Sequence, residues 1–182
     1  GDVYKRQVVT MAKYFAAKKN NKRSIIFALF SGEELGVLGS KHLAKRLKSE
    51  NNNLYAMVAF EMIGVPLIDK DYLVFLSGYE LSNMAQKMNE YTDNNFIGLS
   101  EVAKRNNLYK RSDNFPFYEE FNVACQTISS CDLSNYDYYH HVDDEANELN
   151  YEFMATVINK TIIAVEKMSN TPTKEIVMYE SE

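Results

Sequence analysis

Two adjacent acids, Glu33 and Glu34, follow the apolar run 25–30 almost at once. Neighbouring carboxylates repel each other unless a cation lies between them. Gly36 and Gly39 come next, and each glycine costs about 1 kcal/mol inside a helix relative to Ala. The glycines therefore favour a tight turn or a close backbone approach. One carboxylate of such a pair can bind a divalent metal while the other accepts a proton from water.

A purely structural interpretation of the same acids is a helix-capping box. Ser31 would cap a helix and Glu34 would lie three residues later. Capping boxes are common, but this one would place both glycines inside the helix that it starts.

A third acid, Glu61, follows a second apolar run, 56–60. In open α/β sheets, ligands bind in the crevice beyond the carboxyl ends of the strands. If both runs are strands of one sheet, Glu33, Glu34 and Glu61 lie at that edge. An acid in an apolar context requires a partner, and a metal ion is one such partner.

The stretch 136–145 places His140 and His141 just before Asp143 and Asp144. Carboxylates of this kind orient metal-bound imidazoles through hydrogen bonds. Glu and His donors suit zinc, and three or fewer protein ligands leave a position for water. Together with the strand-end acids, this stretch makes a metallohydrolase the leading interpretation.

The elements that position these residues alternate along the chain. Helical spacing of apolar residues predicts helices over 8–19, 40–49, 81–91 and 150–168, with a helical turn over 114–121. Continuous apolar runs predict strands over 24–30, 54–60, 72–76, 96–99 and 123–128. This alternation favours an α/β sandwich with a mainly parallel sheet. The long loop 98–114 is expected to be functional.

Composition is that of one globular domain. The chain has 182 residues, 46% of them hydrophobic, and a formal net charge of −5. Its basic residues are scattered, so we expect no nucleic-acid partner, and no apolar run approaches the roughly 20 residues of a membrane span. Cys125 and Cys131 match neither a disulfide framework nor a Cys-rich zinc site, and we expect both to be small buried residues.

Four motifs resemble the co-catalytic dizinc aminopeptidases, peptidase family 28, which include bacterial leucyl aminopeptidases and aminopeptidase Y. The likeness extends from about residue 8 to residue 168. Its most diagnostic part is FALFSGEELGVLGS, and the other motifs are AFEMIG, RSDNFPFY and YYHHVDDE. Glu61 stands where the family usually has Asp, and Asn114 where it usually has His.

The resemblance implies a role for each matching residue. Glu33 would be the general base, and Glu34, Glu61 and His140 would be zinc ligands. Met62, Ser112, Asp113 and Asn114 would form the substrate pocket. His141, Asp143 and Asp144 would support the ligands or replace one of them.

The family likeness further implies a three-layer α/β/α sandwich with a mixed sheet. The expected activity is release of N-terminal residues from peptides by a metal-bound hydroxide, with two zinc ions in the intact site. Export to the periplasm or outside the cell is the expected location. The alternatives are a carboxypeptidase or a glutaminyl cyclase of the same superfamily, or a non-catalytic homologue.

The start of the chain suggests that it is a C-terminal fragment. Residues 2–7, DVYKRQ, are also the translation of a sequencing adapter, so residues 1–7 are predicted to be an artefact. The family's upstream His-x-Asp motif and bridging Asp have no counterpart here. We therefore expect residues 8–170 to be the C-terminal portion of a zinc peptidase domain, inactive on its own, and residues 171–182 to be a flexible tail.

Overall fold

The computed structural model describes residues 2–180, and their side chains from residue 6 onward. The α-helices, numbered α1 to α6, are Asp2–Lys18, Leu38–Ser49, Met84–Thr92, Glu101–Arg105, Phe115–Phe121 and Tyr151–Asn170. The strands, numbered β1 to β4, are Met57–Phe60, Val74–Leu76, Ile97–Gly98 and Cys125–Ser129. Three short 3-10 helices cover Tyr79–Leu81, Leu108–Arg111 and Ala146–Glu148.

The four strands form one mixed sheet in the order β1-β4-β2-β3. β1 pairs with β4 in parallel, β2 pairs with β3 in parallel, and β2 pairs with β4 antiparallel. The predicted α/β fold with a mainly parallel mixed sheet is therefore confirmed.

Helices cover both faces of this sheet. On one face, α1, α3 and α6 bury the larger apolar cluster, which includes Phe15, Met88 and Val157. On the other face, α2 and α5 bury a smaller cluster with Leu47, Phe117 and Cys125. Apolar stripes on both helical layers thus cover the two faces of the sheet.

The predicted closing helix is present as α6. The Asn150 side chain caps it by accepting a hydrogen bond from the Phe153 amide at 2.9 Å. Ile158 and Ile162, four residues apart on one side of the helix, are buried in the larger apolar cluster. The cap and the apolar stripe together explain where the helix starts and which face it buries.

The predicted strand over 24–30 is wrong in the described chain. These residues are not part of any strand, and Ile26 and Leu29 are 57% and 52% exposed. A strand is defined by its ladder of backbone hydrogen bonds. Within residues 2–180 no backbone hydrogen bond joins this segment to another strand.

The C-terminal segment also differs from the prediction of a flexible tail. Ile176 is buried, Val177 donates its amide to the Asn83 side chain at 2.8 Å, and Met178 bridges to Ser82. The buried Ile176 side chain and these hydrogen bonds hold residues 171–180 against the start of α3. Residues 181 and 182 lie outside the described residues.

The segment 98–114 is not one long loop, because it contains α4 and a 3-10 helix. The Ser100 side chain accepts a hydrogen bond from the Ala103 amide at 3.1 Å and so starts α4. A strong N-cap in this stretch is the signal that the prediction omitted.

Residues 2–7, predicted to be an artefact, form the first turns of α1, and Gly1 lies outside the described residues. Gln7 is fully buried, and neither polar atom of its side chain finds a hydrogen-bond partner within the part of the chain that the structure describes. An unpaired buried amide is costly, by about 1–3 kcal/mol. Between residues 2 and 180, no helix has both the length and the apolar character needed to cross a bilayer.

Candidate functional site

The adjacent acids lie on a tight turn between the extended segment 24–30 and α2. The carbonyl of Glu33 accepts hydrogen bonds from the amides of Gly36 and Val37 at 2.9 and 2.8 Å. Gly36 has φ +98°, a conformation that glycine adopts at little cost. The helix starts only after this turn, without a side-chain cap, so the capping-box interpretation is wrong.

Glu34 meets His140, which is 106 positions away in the sequence. Glu34 Oε1 and His140 Nε2 are 3.0 Å apart, and both side chains are exposed. The His140 ring stacks on Tyr139, with ring centroids 4.1 Å apart. Two ligand atoms of one tetrahedral zinc lie about 3.4 Å apart, given zinc-to-ligand distances of about 2.0–2.2 Å. This pair therefore has a spacing close to that of two ligands of one ion.

Acidic charge accumulates beside this pair. Burial, together with the charges of Glu61, Glu34 and Asp113, raises the pKa of Glu33 to about 7. Burial also raises the pKa of Glu61, although a hydrogen bond with Ser112 opposes that increase. Several carboxylates in one region repel each other, and a bound divalent cation would offset that repulsion.

The described residues supply only part of a metal site. Within residues 2–180, no three His, Cys, Asp or Glu side chains converge closely enough to hold an ion. Glu34 and His140 fit zinc as a pair, and Glu61 lies along the same cavity without joining them. The structure therefore brings together a pair and a neighbour, not a closed site, and the ligand assignments stay predictions.

The backbone around the carboxylates is conformationally unusual. Val37, Met62 and His140 have φ values of 53°, 48° and 58°, in the left-handed region. Non-glycine residues rarely adopt this region, and Val is strained there because of its branched Cβ. Such conformations cluster at functional sites, where neighbouring structure holds them in place.

A cavity of about 920 Å³ contains these acids and extends far beyond them. Glu33, Glu34, Glu61 and His140 line it, and Met62, Ser112 and Asp113 from the predicted pocket line it too. A second cavity, of about 390 Å³, shares the three glutamates and Met62.

Asn114, by contrast, lines neither cavity. It is fully buried and donates hydrogen bonds to the carbonyls of Tyr109 and Cys125 at 3.2 and 3.0 Å. Thr127 donates its hydroxyl hydrogen to the Asn114 side-chain oxygen at 2.9 Å. Asn114 therefore braces α5 against β4, and its assignment to the pocket surface is corrected. Cys125 is buried and free, as is Cys131.

Of the residues predicted to support the metal ligands, one lines the larger cavity and two line neither cavity. His141 Nδ1 pairs with Asp143 Oδ2 at 3.0 Å, and neither residue lines either cavity. Asp144 does line the larger cavity, where it accepts a hydrogen bond from the Tyr136 hydroxyl at 2.7 Å.

Sequence reasoning missed several residues that line the cavities. Tyr139 stacks on His140, and Lys41 and Arg111 place positive charge at the smaller cavity. The aromatic neighbour of a ligand histidine was a usable signal for Tyr139. Nothing in the local sequence distinguishes Lys41 or Arg111 from other exposed cations.

Comparison with known proteins matches this chain to a peptidase family and to zinc metalloproteases. A family model described as Peptidase family M28 matches residues 7–165. A protein of Pyrenophora tritici-repentis (strain Pt-1C-BFP) named "Probable zinc metalloprotease" is 43% identical over 54 residues, which cover 30% of this chain and 12% of that protein. A protein of Phaeosphaeria nodorum with the same name is 39% identical over 54 residues, covering 30% and 11%.

Two solved aminopeptidases share the fold. The Legionella pneumophila LapA aminopeptidase superposes with a TM-score of 0.69 at 21% identity, over 91% of this chain and 45% of that one. The aminopeptidase from Aneurinibacillus sp. strain AM-1 superposes with a TM-score of 0.60 at 19% identity, over 86% and 35%. The chain thus spans less than half the length of these enzymes, and its matched 54 residues cover 11–12% of the curated proteins.

Proposed function

Because this chain belongs to peptidase family M28, we propose that the protein containing it is a zinc-dependent aminopeptidase that releases N-terminal residues from peptides. One observation carries the proposal. Glu34 and His140 stand 3.0 Å apart beside Glu33, at the edge of the sheet where Glu61 follows β1. Residues distant in sequence are thereby gathered into one acidic cavity.

Each residue has a defined role in this proposal. Glu34 and His140 would hold one zinc ion, and Glu61 would contribute to a second. When bound, zinc polarises a peptide carbonyl and makes water more acidic. Tyr139, stacked on His140, keeps the imidazole oriented towards Glu34.

Glu33 is the proposed general base. It accepts a proton as water attacks the substrate carbonyl and returns that proton to the leaving amine. General bases work best when their pKa lies near the working pH, and burial among other acids raises the pKa of Glu33 to about 7. Met62, Ser112 and Asp113, which line the same cavity, would contact the substrate residue.

The 182 residues alone are proposed to have little activity. Within residues 2–180 no third donor joins Glu34 and His140, whereas catalytic zinc sites use three protein ligands. The other ligands would come from the rest of the protein, since the chain spans 45% of the LapA aminopeptidase.

The test is Glu33→Gln in the complete protein, with Glu119→Gln on the exposed face of α5 as the matched control. We expect the Glu33 variant to retain its zinc content, measured by atomic emission, and to lose at least about 100-fold in kcat on aminoacyl substrates. The control should keep parental values of both quantities. Parental turnover by Glu33→Gln would refute the base assignment.

Substrate blocking then tests the aminopeptidase class. Peptides with a free amino terminus should be cleaved, whereas N-acetylated peptides should not. Cleavage of acetylated peptides at their carboxyl end would identify a carboxypeptidase instead.

A further inference from the structure

The smaller cavity combines basic side chains at its mouth with Ser and Thr hydroxyls at its floor. The basic residues are exposed and the hydroxyl residues are buried. The two sets are Lys41, Lys110 and Arg111, and Ser77, Thr127 and Ser129. We propose, on the basis of the proposed function, that this cavity binds a carboxylate of the peptide substrate. That carboxylate belongs either to an acidic first side chain or to the carboxyl terminus of a very short peptide.

Arg111 places an unpaired guanidinium beside the proposed reaction centre. Its positive charge opposes the increases in the pKa of Glu61 and of Tyr139, so it lies near both groups. Between residues 2 and 180 the Arg111 side chain has no hydrogen bond and no salt bridge. A guanidinium binds a carboxylate through two parallel hydrogen bonds, so Arg111 is suited to an acidic ligand.

The two lysines of the cavity differ in how free their charges are. Lys41 lies in the first turn of α2, and its ammonium group has no salt bridge within the described part of the chain. The Lys110 ammonium lies 5.9 Å from the centre of the Phe115 ring, a distance typical of a cation–π contact. Lys41 and Arg111 are therefore the cations most available to a ligand.

Ser77 supplies a buried donor at the floor of the cavity. It is 4% exposed, and its hydroxyl oxygen accepts a hydrogen bond from the Thr127 amide at 3.1 Å. Among residues 2–180, nothing accepts the hydrogen of the Ser77 hydroxyl. Thr127 Oγ1 lies 3.4 Å from the hydroxyl of Ser112, the residue after Arg111, so the floor continues to the base of the cationic mouth. A buried donor requires an acceptor, and a carboxylate oxygen is a strong one.

The charges of the cavity favour an anion once metal is bound. Three glutamates, Glu33, Glu34 and Glu61, line the same cavity and offset its three basic residues. Zinc held at the glutamates, as in the proposed function, offsets their charge and leaves the basic residues without counter-charges. An aliphatic side chain in this cavity would remove water from those cations and from Ser77 without pairing them, which is costly.

The size of the cavity suits a single residue. Its volume of about 390 Å³ lies near the lower end of the roughly 300–1,000 Å³ of small-molecule sites. Because it shares the three glutamates with the larger cavity, a group bound in it stays next to the proposed reaction centre. The bound carboxylate is therefore expected within the first two residues of the peptide.

Two peptide pairs test the proposal and identify the source of the carboxylate. The complete, zinc-loaded protein would be assayed for kcat/KM on Glu-Ala-amide against Gln-Ala-amide, and on Leu-Ala against Leu-Ala-amide. The preferred pair should show a gain of about 10–100-fold for the carboxylate-bearing member, which is the range of one charge-assisted hydrogen bond. A gain in the first pair identifies the side chain, and a gain in the second identifies the carboxyl terminus. Cleavage without a gain in either pair would overturn the proposal and leave the aminopeptidase assignment standing.

Charge removal at the mouth of the cavity tests which residues recognise the carboxylate. Arg111→Gln and Lys41→Gln should each lower the gain at least about threefold, and the double variant at least about tenfold. Arg105→Gln and Lys45→Gln, on exposed positions of α4 and α2, are the matched controls and should keep the parental gain. If Arg111→Gln lowered kcat/KM equally for both members of each pair, the cavity would not recognise the carboxylate.

Calorimetry gives a readout that does not depend on turnover. If none of the four peptides is cleaved, the proposed function fails, and the same peptides can be titrated into the zinc-loaded protein. The carboxylate-bearing member of one pair should then bind at least about tenfold more tightly, and Arg111→Gln should reduce that difference. Equal affinities within both pairs would overturn carboxylate binding independently of the reaction.

Discussion

Glu33→Gln should stabilise the metal-free chain in a pH-dependent way. The carboxyl has an ordinary pKa of 4.5, which burial and neighbouring acids raise to about 7. A carboxyl whose folded pKa is raised binds its proton more tightly in the native state. Its contribution to stability is therefore fully present below pH 4.5 and is lost as the pH rises through about 7. Gln is neutral throughout and avoids that loss.

The size of the effect follows from the pKa difference. A change from 4.5 to about 7 corresponds to about 3 kcal/mol for a group shielded from solvent. Glu33 is only partly buried, and solvent screening reduces this value to about 1–2 kcal/mol at pH 8. At pH 5 the same pKa difference gives about a quarter of this free-energy difference.

Urea unfolding in the presence of EDTA measures this difference. The Glu33→Gln midpoint should exceed that of the parent by about 0.5–1 M at pH 8, given a slope of about 2 kcal/mol/M. The gain should be much smaller at pH 5. Glu119→Gln, on the exposed face of α5, is the control and should show no such dependence. An equal gain at both pH values, or no gain at pH 8, would refute the idea that clustered acids destabilise the metal-free site.

Three further substitutions test the packing around the sheet by urea unfolding. Gln7→Leu should stabilise the chain by about 1–3 kcal/mol, because it removes a fully buried amide without hydrogen-bond partners in the described residues; a loss of stability would contradict this. Asn114→Ala should destabilise by about 2–4 kcal/mol, because it removes the acceptor of the Thr127 hydroxyl and the donor to two buried carbonyls, and an effect below about 1 kcal/mol would argue against the brace. Gly98→Ala should cost about 1–3 kcal/mol, because the added Cβ would collide with the Tyr72 ring; parental stability would mean that this ring moves freely.

Much of the candidate site could be predicted from local patterns. Glu33, Glu34 and Glu61 follow apolar runs, and ligand sites lie beyond the carboxyl ends of strands in α/β sheets. The structure lines one cavity with all three acids, although only the run before Glu61 forms a strand in the described residues. The rule needs only strand direction, which an apolar run and its flanking turn reveal.

Other predictions depended on partners that no local pattern reveals. The segment 24–30 has the composition of a buried strand, yet it forms none within the described chain. Strand formation is a property of a pair, because the stabilising hydrogen bonds are made with a neighbour. The end of the chain likewise looks polar and free, but Ile176 finds an apolar site beside α3.

The sequence by itself determined the α/β alternation, the closing helix and the types of side chain able to bind zinc, since each follows from periodicity or chemistry within a short window. Only the tertiary structure decided which of these side chains meet. It brought Glu34 to His140 across 106 positions, and it turned Asn114 inward to Thr127 rather than towards the cavity. Side-chain direction at such distances depends on how the sheet and helices pack, because a one-residue change of register would point the same residue to the opposite face.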